Sequence, residues 1–69
     1  MKFNTGDCVK VTPNQDWNNA TLLKKVKSCD YAIIEIKEDW CDGYWCNIVK
    51  NVEVIDACIL MNDELELLK

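Results

Sequence analysis

The sequence predicts an all-β domain, a small barrel or sandwich of five short strands. Three observations predict it. Apolar and polar residues alternate over several short runs. Turn-forming residues separate those runs at close spacing. No apolar pattern of helical period is sustained over roughly 10–12 residues, the length at which a helix would be assigned. The chain has 69 residues, enough for one domain over 1–69. A domain of this size buries only about 60% of its unfolded surface, so its core is small.

The first strand runs from about Asp7 to Thr12. Gly6-Asp7 opens it, and Val9 and Val11 alternate with Cys8 and Lys10, valines inward. Pro13-Asn14-Gln15-Asp16 breaks the pattern. Pro13 to Ala20 is polar apart from Trp17 and reads as a long loop with at most one helical turn. Leu22, Leu23 and Val26 end this excursion beside Lys24, Lys25 and Lys27.

The second strand runs from Tyr31 to Trp40. Ala32, Ile34 and Ile36 alternate with Ile33, Glu35 and Lys37, so the strand is half-buried. Asp42-Gly43 is the strongest hairpin signal in the chain, because both residues tolerate positive φ. A two-residue loop there sets a register. Cys41 faces Tyr44, Trp40 faces Trp45, Ile36 faces Val49 and Glu35 faces Lys50. The third strand is then about Tyr44 to Val49. Lys50-Asn51 is a second tight turn, and a fourth strand runs from Val52 to Met61. Asn62-Asp63-Glu64 starts one helical turn with Asn62 or Asp63 as cap. Leu65-Glu66-Leu67-Leu68 alternates again and closes the sheet.

Composition excludes several kinds of chemistry. The net charge is -4, from 8 basic and 12 acidic residues, and there is no histidine. All the basic residues are lysine. Without histidine there is no Ser-His or Cys-His nucleophile pair and no imidazole metal ligand. Without arginine, bidentate reading of phosphate and guanine is lost. The acidic balance disfavours nucleic acid, whose affinity comes largely from neutralised phosphates. Lys24, Lys25 and Lys27 read as a solvated face, with a phosphate-contacting patch as the alternative. Frequent lysine and asparagine without arginine suggest an AT-rich genome. No apolar run reaches the roughly 18 residues of a membrane span. The first residues, Met1 to Asp7, do not resemble a secretion signal, so a cytoplasmic protein is expected.

The 5 cysteines are Cys8, Cys29, Cys41, Cys46 and Cys58. The count is odd, and a reducing compartment does not sustain disulfides. There is no C-x-x-C pair of the kind zinc sites use, so no metal is expected. The cysteines read as small packing residues. Glu38, Asp39 and Asp42 gather at the hairpin tip and lack the loop spacing of a calcium site. With no cofactor signature and no paired acid and base, no catalytic residues are assigned and an enzyme is not expected.

Phe3-Asn4-Thr5-Gly6-Asp7-Cys8-Val9-Lys10-Val11 resembles the first strand of SH3-like small β-barrels, including KOW-type domains. Asn62 to Leu68 resembles their final turn and strand, and Ile33 to Ile36 with the following hairpin fits the middle strands. The resemblance implies a five-stranded SH3-like barrel with a long loop after strand 1 and a short helical turn before the last strand. KOW-type segments usually carry glycines before the second strand, and Lys24 to Asp30 has none.

Tryptophan and tyrosine are frequent anchors in interfaces, and peptide-binding SH3-like domains use an aromatic groove. The binding candidates are therefore Trp17, Trp40, Tyr44 and Trp45. One or two of the tryptophans could instead close the small core, and Trp17 could cover the open end of the barrel. The expected function is a non-catalytic protein-binding module. Its size, charge and lack of a reactive site suit a small regulator or inhibitor of a host protein, such as a phage-encoded anti-defence factor. The alternatives are a KOW-like nucleic-acid-binding domain and a self-associating structural protein.

Overall fold

The computed structural model describes residues 3–14, 17–38 and 43–68. Five strands form one antiparallel sheet: β1 (Cys8–Val11), β2 (Tyr31–Lys37), β3 (Gly43–Lys50), β4 (Glu53–Met61) and β5 (Leu65–Leu67). Their order across the sheet is β4-β3-β2-β1-β5. An all-β architecture is thus present, with strands at the expected places. Among the described residues β4 and β5 do not pair, so the sheet is open at both edges and not closed into a barrel.

The turn before β1 depends on glycine. Gly6 has φ +91°, a value that L side chains rarely adopt. The turn is closed by the Asp7 amide donating to the Asn4 carbonyl at 3.0 Å and the Asn4 amide donating to Asp7 Oδ2 at 2.9 Å. Gly6 N–H then donates to the Ile34 carbonyl at 2.7 Å, so the turn docks on β2.

The stretch after the expected loop is corrected: Ala20–Ser28, where no helix was expected, forms α1. Asn19 is its cap, and Asn19 Oδ1 accepts from the Leu22 amide at 3.0 Å. Lys25 and Lys27 lie in the last turn, where cations suit the helix dipole. Val26 is buried and Leu22 packs against the core, while Lys24, Lys25 and Lys27 are exposed. Nine residues are too few for a stable isolated helix, so the sheet beneath it decides the conformation. Lys25 Nζ lies 3.3 Å from Asp56 Oδ2 of β4, an exposed pair that orients α1 and adds little stability.

The two-residue Asp42-Gly43 hairpin is also corrected. Gly43 lies inside β3, opposite Met61. Ile36 faces Trp45 and Lys37 faces Tyr44, in place of the expected Trp40–Trp45, Ile36–Val49 and Glu35–Lys50 pairs. Glu38 N–H donates to the Gly43 carbonyl at 3.1 Å, which leaves 39–42 between the strands. Trp40, Cys41, Asp39 and Asp42 lie outside the described residues. The winning register aligns Ala32 with Ile48 and Ile34 with Cys46, and all four are buried. Burying that set outweighs the local preference of Asp-Gly for a turn.

The β3–β4 turn is shifted by one residue from Lys50-Asn51. Lys50 pairs with Glu53, so Asn51 and Val52 are the two loop residues, at φ +52° and +57°. Two positive φ values in a two-residue hairpin define a type I′ turn. A β-branched residue is strained there. Val52 is 90% exposed and packs on nothing that repays the strain. Val52→Gly is therefore expected to raise stability by about 1 kcal/mol, the left-handed penalty less the entropy cost of glycine. Denaturant unfolding should show a higher midpoint with an unchanged slope.

The core face carries Val9, Ala32, Ile34, Tyr44, Cys46, Ile48, Cys58, Leu60 and Leu65, joined by Phe3 and by Val26 of α1. The expected helical turn before the last strand is present as a 3-10 turn, Asn62–Glu64. Its cap is Met61, not Asn62 or Asp63, and the Met61 amide donates to Glu64 Oε1 at 3.0 Å.

Candidate functional site

The described aromatic candidates, Trp17, Tyr44 and Trp45, do not form one cluster on the surface. Trp17 is half-buried against the core, and its indole Nε1 donates to Glu64 Oε2 at 2.8 Å. Tyr44 is a core residue, 2% exposed, with its ring edge-on to Phe3 at 5.3 Å and Lys37 Nζ 5.6 Å from its centroid. Burial of Tyr44 removes the surface that a binding role requires. Trp40 lies outside the described residues. Trp45 is half-buried and points to the face of the sheet opposite Tyr44, as the strand period of two dictates.

That outer face is apolar across three strands. One row reads Ile36–Trp45–Ile59 and the next Ile33–Asn47–Ala57, from the registers of β2, β3 and β4. Asn47 is the one polar side chain in these two rows. Met61, opposite Gly43, extends the surface by one residue on β4. Ile36 is 55% exposed and Met61 38% exposed. Alternation from the sequence puts Ile36 on the same face as Ile34. The register slips between Ile34 and Ile36, so Glu35 is an extra residue that turns Ile36 outward beside Trp45. A bulge carries no signal in the alternation, which is why the sequence pattern misses this row. Ile36, Ile59 and Met61 are the surface residues that sequence reasoning did not select.

The described cysteines, Cys8, Cys29, Cys46 and Cys58, are free thiols. Cys8 is exposed, Cys29 is half-buried, and Cys46 and Cys58 are buried directly opposite one another on β3 and β4. Burial pushes the Cys46 thiol up to about 12, and the facing Cys58 adds to the effect. Burial likewise pushes Cys58 up to about 11, with Asp56, Glu64 and Cys29 adding to it. Burial and Asp30 raise Cys29. The thiolate is the nucleophile and the metal-binding form, so these shifts suppress both roles. Among the described residues no three His, Cys, Asp or Glu groups are placed to hold a metal ion.

The shifts have a consequence for stability. An unfolded thiol ionises near 9.0, whereas the folded pair holds its protons to about 11 and 12. Between those values the unfolded chain binds fewer protons, so stability falls as pH rises. Cys46→Ala is expected to lower stability at neutral pH yet flatten its decline above pH 9.0. Urea unfolding at stepped pH checks this, and an equally steep decline in the variant would refute it.

Glu64 is the buried charged residue of the described set, 5% exposed. Its carboxylate accepts from the Met61 amide, the Asn14 amide and the Trp17 indole. It is occupied as a structural acceptor, and the nearby Cys58 thiol is held protonated in part by its charge. Beside it, Trp17, Leu22, Ile59 and Met61 border an open groove of about 460 Å³ at the free edge of β4. No helix among the described residues is long and apolar enough to cross a membrane. In comparisons with protein-family models, curated proteins and solved structures, the chain matches none of them.

Proposed function

We propose that the chain is a non-catalytic protein-binding module of SH3-like form that docks through the outer face of its sheet. The observation that carries this reading is the row Ile36–Trp45–Ile59, apolar across three strands and partly open to solvent. A contiguous apolar patch with a central tryptophan is the composition of an interface core. The SH3-like form is supported by the five strands and the 3-10 turn between β4 and β5. A small regulator or inhibitor working by surface complementarity needs nothing more than such a face.

Ile36→Asp with Trp45→Asp tests the proposal, because both side chains sit outside the core cluster and the variant should fold. A partner captured from the source cell by the wild-type chain should be lost by the variant, with an affinity drop of at least about a hundredfold for two interface anchors. Equal capture by both would refute the reading. A wild-type dimer that the variant reduces to a monomer would assign the face to self-association. Salt-sensitive binding of single-stranded or duplex nucleic acid through Lys24 and Lys27, with no protein partner, would replace the proposal by the nucleic-acid alternative.

A further inference from the structure

β4 is an edge strand of nine residues, and its outward backbone groups are unevenly protected. The Ala57 amide donates to Asp56 Oδ1 at 2.8 Å and the Met61 amide to Glu64 Oε1 at 3.0 Å. Neither acceptor belongs to β3, so this alternate set of β4 residues directs its N–H and C=O groups away from the sheet. Ile59 lies midway between them and shares that orientation, and among the described residues no carboxylate reaches its amide. Its free edge opens into the groove of about 460 Å³ bordered by Trp17, Asn18, Asn19, Leu22, Cys58 and Met61.

An unpaired edge is a template for another strand. Here the two carboxylate caps occupy the Ala57 and Met61 donors and leave Ile59 open between them. A strand laid beside β4 can place a single residue opposite Ile59 and exchange both backbone bonds with it. The side chains of that strand alternate. Those on the core side would rest on Trp17 and Leu22, and those on the other side would continue the apolar surface of Ile59 and Trp45.

Charge selects the occupant. Among the described residues the groove has no basic side chain in its lining, and exposed Asp63 stands beside it next to Asn14 and Met61. At the other end Asp56 is shared with Lys25. The chain as a whole carries -4. A second copy would bring the same acidic charge to the same edge, whereas a basic segment is attracted. We infer that the free edge of β4 at Ile59 receives an extended, lysine- or arginine-bearing peptide segment of a partner protein by strand addition. This inference does not require the outer face to be an interface.

The test uses the full chain labelled with nitrogen-15 and the blocked peptide acetyl-Lys-Val-Thr-Val-Lys-amide. The expected result is a shift of the Ile59 amide resonance and slower hydrogen exchange there, saturating at or below about 1 mM as a weak site requires. N-methylation of the central peptide residue removes the donor facing Ile59 and should abolish the effect. Asp63→Lys, a change at an exposed site, should weaken binding about fivefold or more if charge selects the segment. No shift at Ile59 up to several times about 1 mM, or equal binding of the N-methylated peptide, overturns the inference. Shifts confined to Ile36 and Trp45 overturn it as well and leave the outer-face proposal standing. An Ile59 amide already protected in a dimeric peptide-free protein would show that a second copy occupies the edge.

Discussion

Glu64→Ala is expected to lower folding stability by about 3 kcal/mol, a large share of what a domain this small possesses. The reason is the number of groups that one buried carboxylate satisfies. Oε1 holds the Met61 amide at the start of the 3-10 turn. Oε2 holds the Asn14 amide at 3.0 Å and the Trp17 indole at 2.8 Å. Hydrogen bonds to a charged acceptor each contribute about 1.5–3 kcal/mol, and part of the sum is recovered because water reaches the freed donors. The loop after β1, through Asn14 and Trp17, loses its anchor to the 3-10 turn. Trp17 should then move, and its fluorescence should shift toward that of an exposed indole before global unfolding. Glu64→Gln should fall between wild type and Ala, since its amide nitrogen cannot accept. A loss below about 0.5 kcal/mol for Glu64→Ala would show that water replaces the carboxylate fully.

Tyr44→Ala is expected to cost about 4 kcal/mol, the range found for emptying an aromatic site in a core. Tyr44 is 2% exposed and faces Leu60 across the β3–β4 ladder. Its ring stands at 81° to that of Phe3, an edge-to-face contact that contributes about 0.5–1.5 kcal/mol beyond area burial. The loss would therefore also detach the segment before β1. The same substitution separates the core role of this residue from the binding role expected from the sequence. A core residue loses stability when truncated, whereas an interface residue loses a partner and keeps its fold. Thermal unfolding of the purified variant decides between them, and an unchanged midpoint would return Tyr44 to the binding surface.

Much of the fold is legible from pattern. β1, β3 and β4 follow the alternation of Val9 and Val11, of Tyr44, Cys46 and Ile48, and of Cys58 and Leu60. The turn at Asn62–Glu64 and the closing strand are legible for the same reason: short polar punctuation before a renewed alternation. The helix is less so. Asn19 followed by Leu22, Leu23 and Val26 is a cap and an apolar stripe, but nine residues fall below the length at which period alone is decisive. The candidate surface was the least legible part, because only Trp45 of its residues was selected from sequence.

The sequence by itself determined the class of this protein: short antiparallel strands, acidic charge, and none of the histidine or arginine on which much catalytic and nucleic-acid chemistry rests. Those properties are local or additive, so a linear reading recovers them. Tertiary structure decided the rest. It placed Gly43 inside β3, turned Ile36 outward at Glu35, put Tyr44 in the core and drew Glu64 to Asn14 and Trp17. Each of these follows from which residues meet across the sheet. Register is a competition between whole faces, in which burying Ala32, Ile34, Cys46 and Ile48 together outweighs one favourable turn.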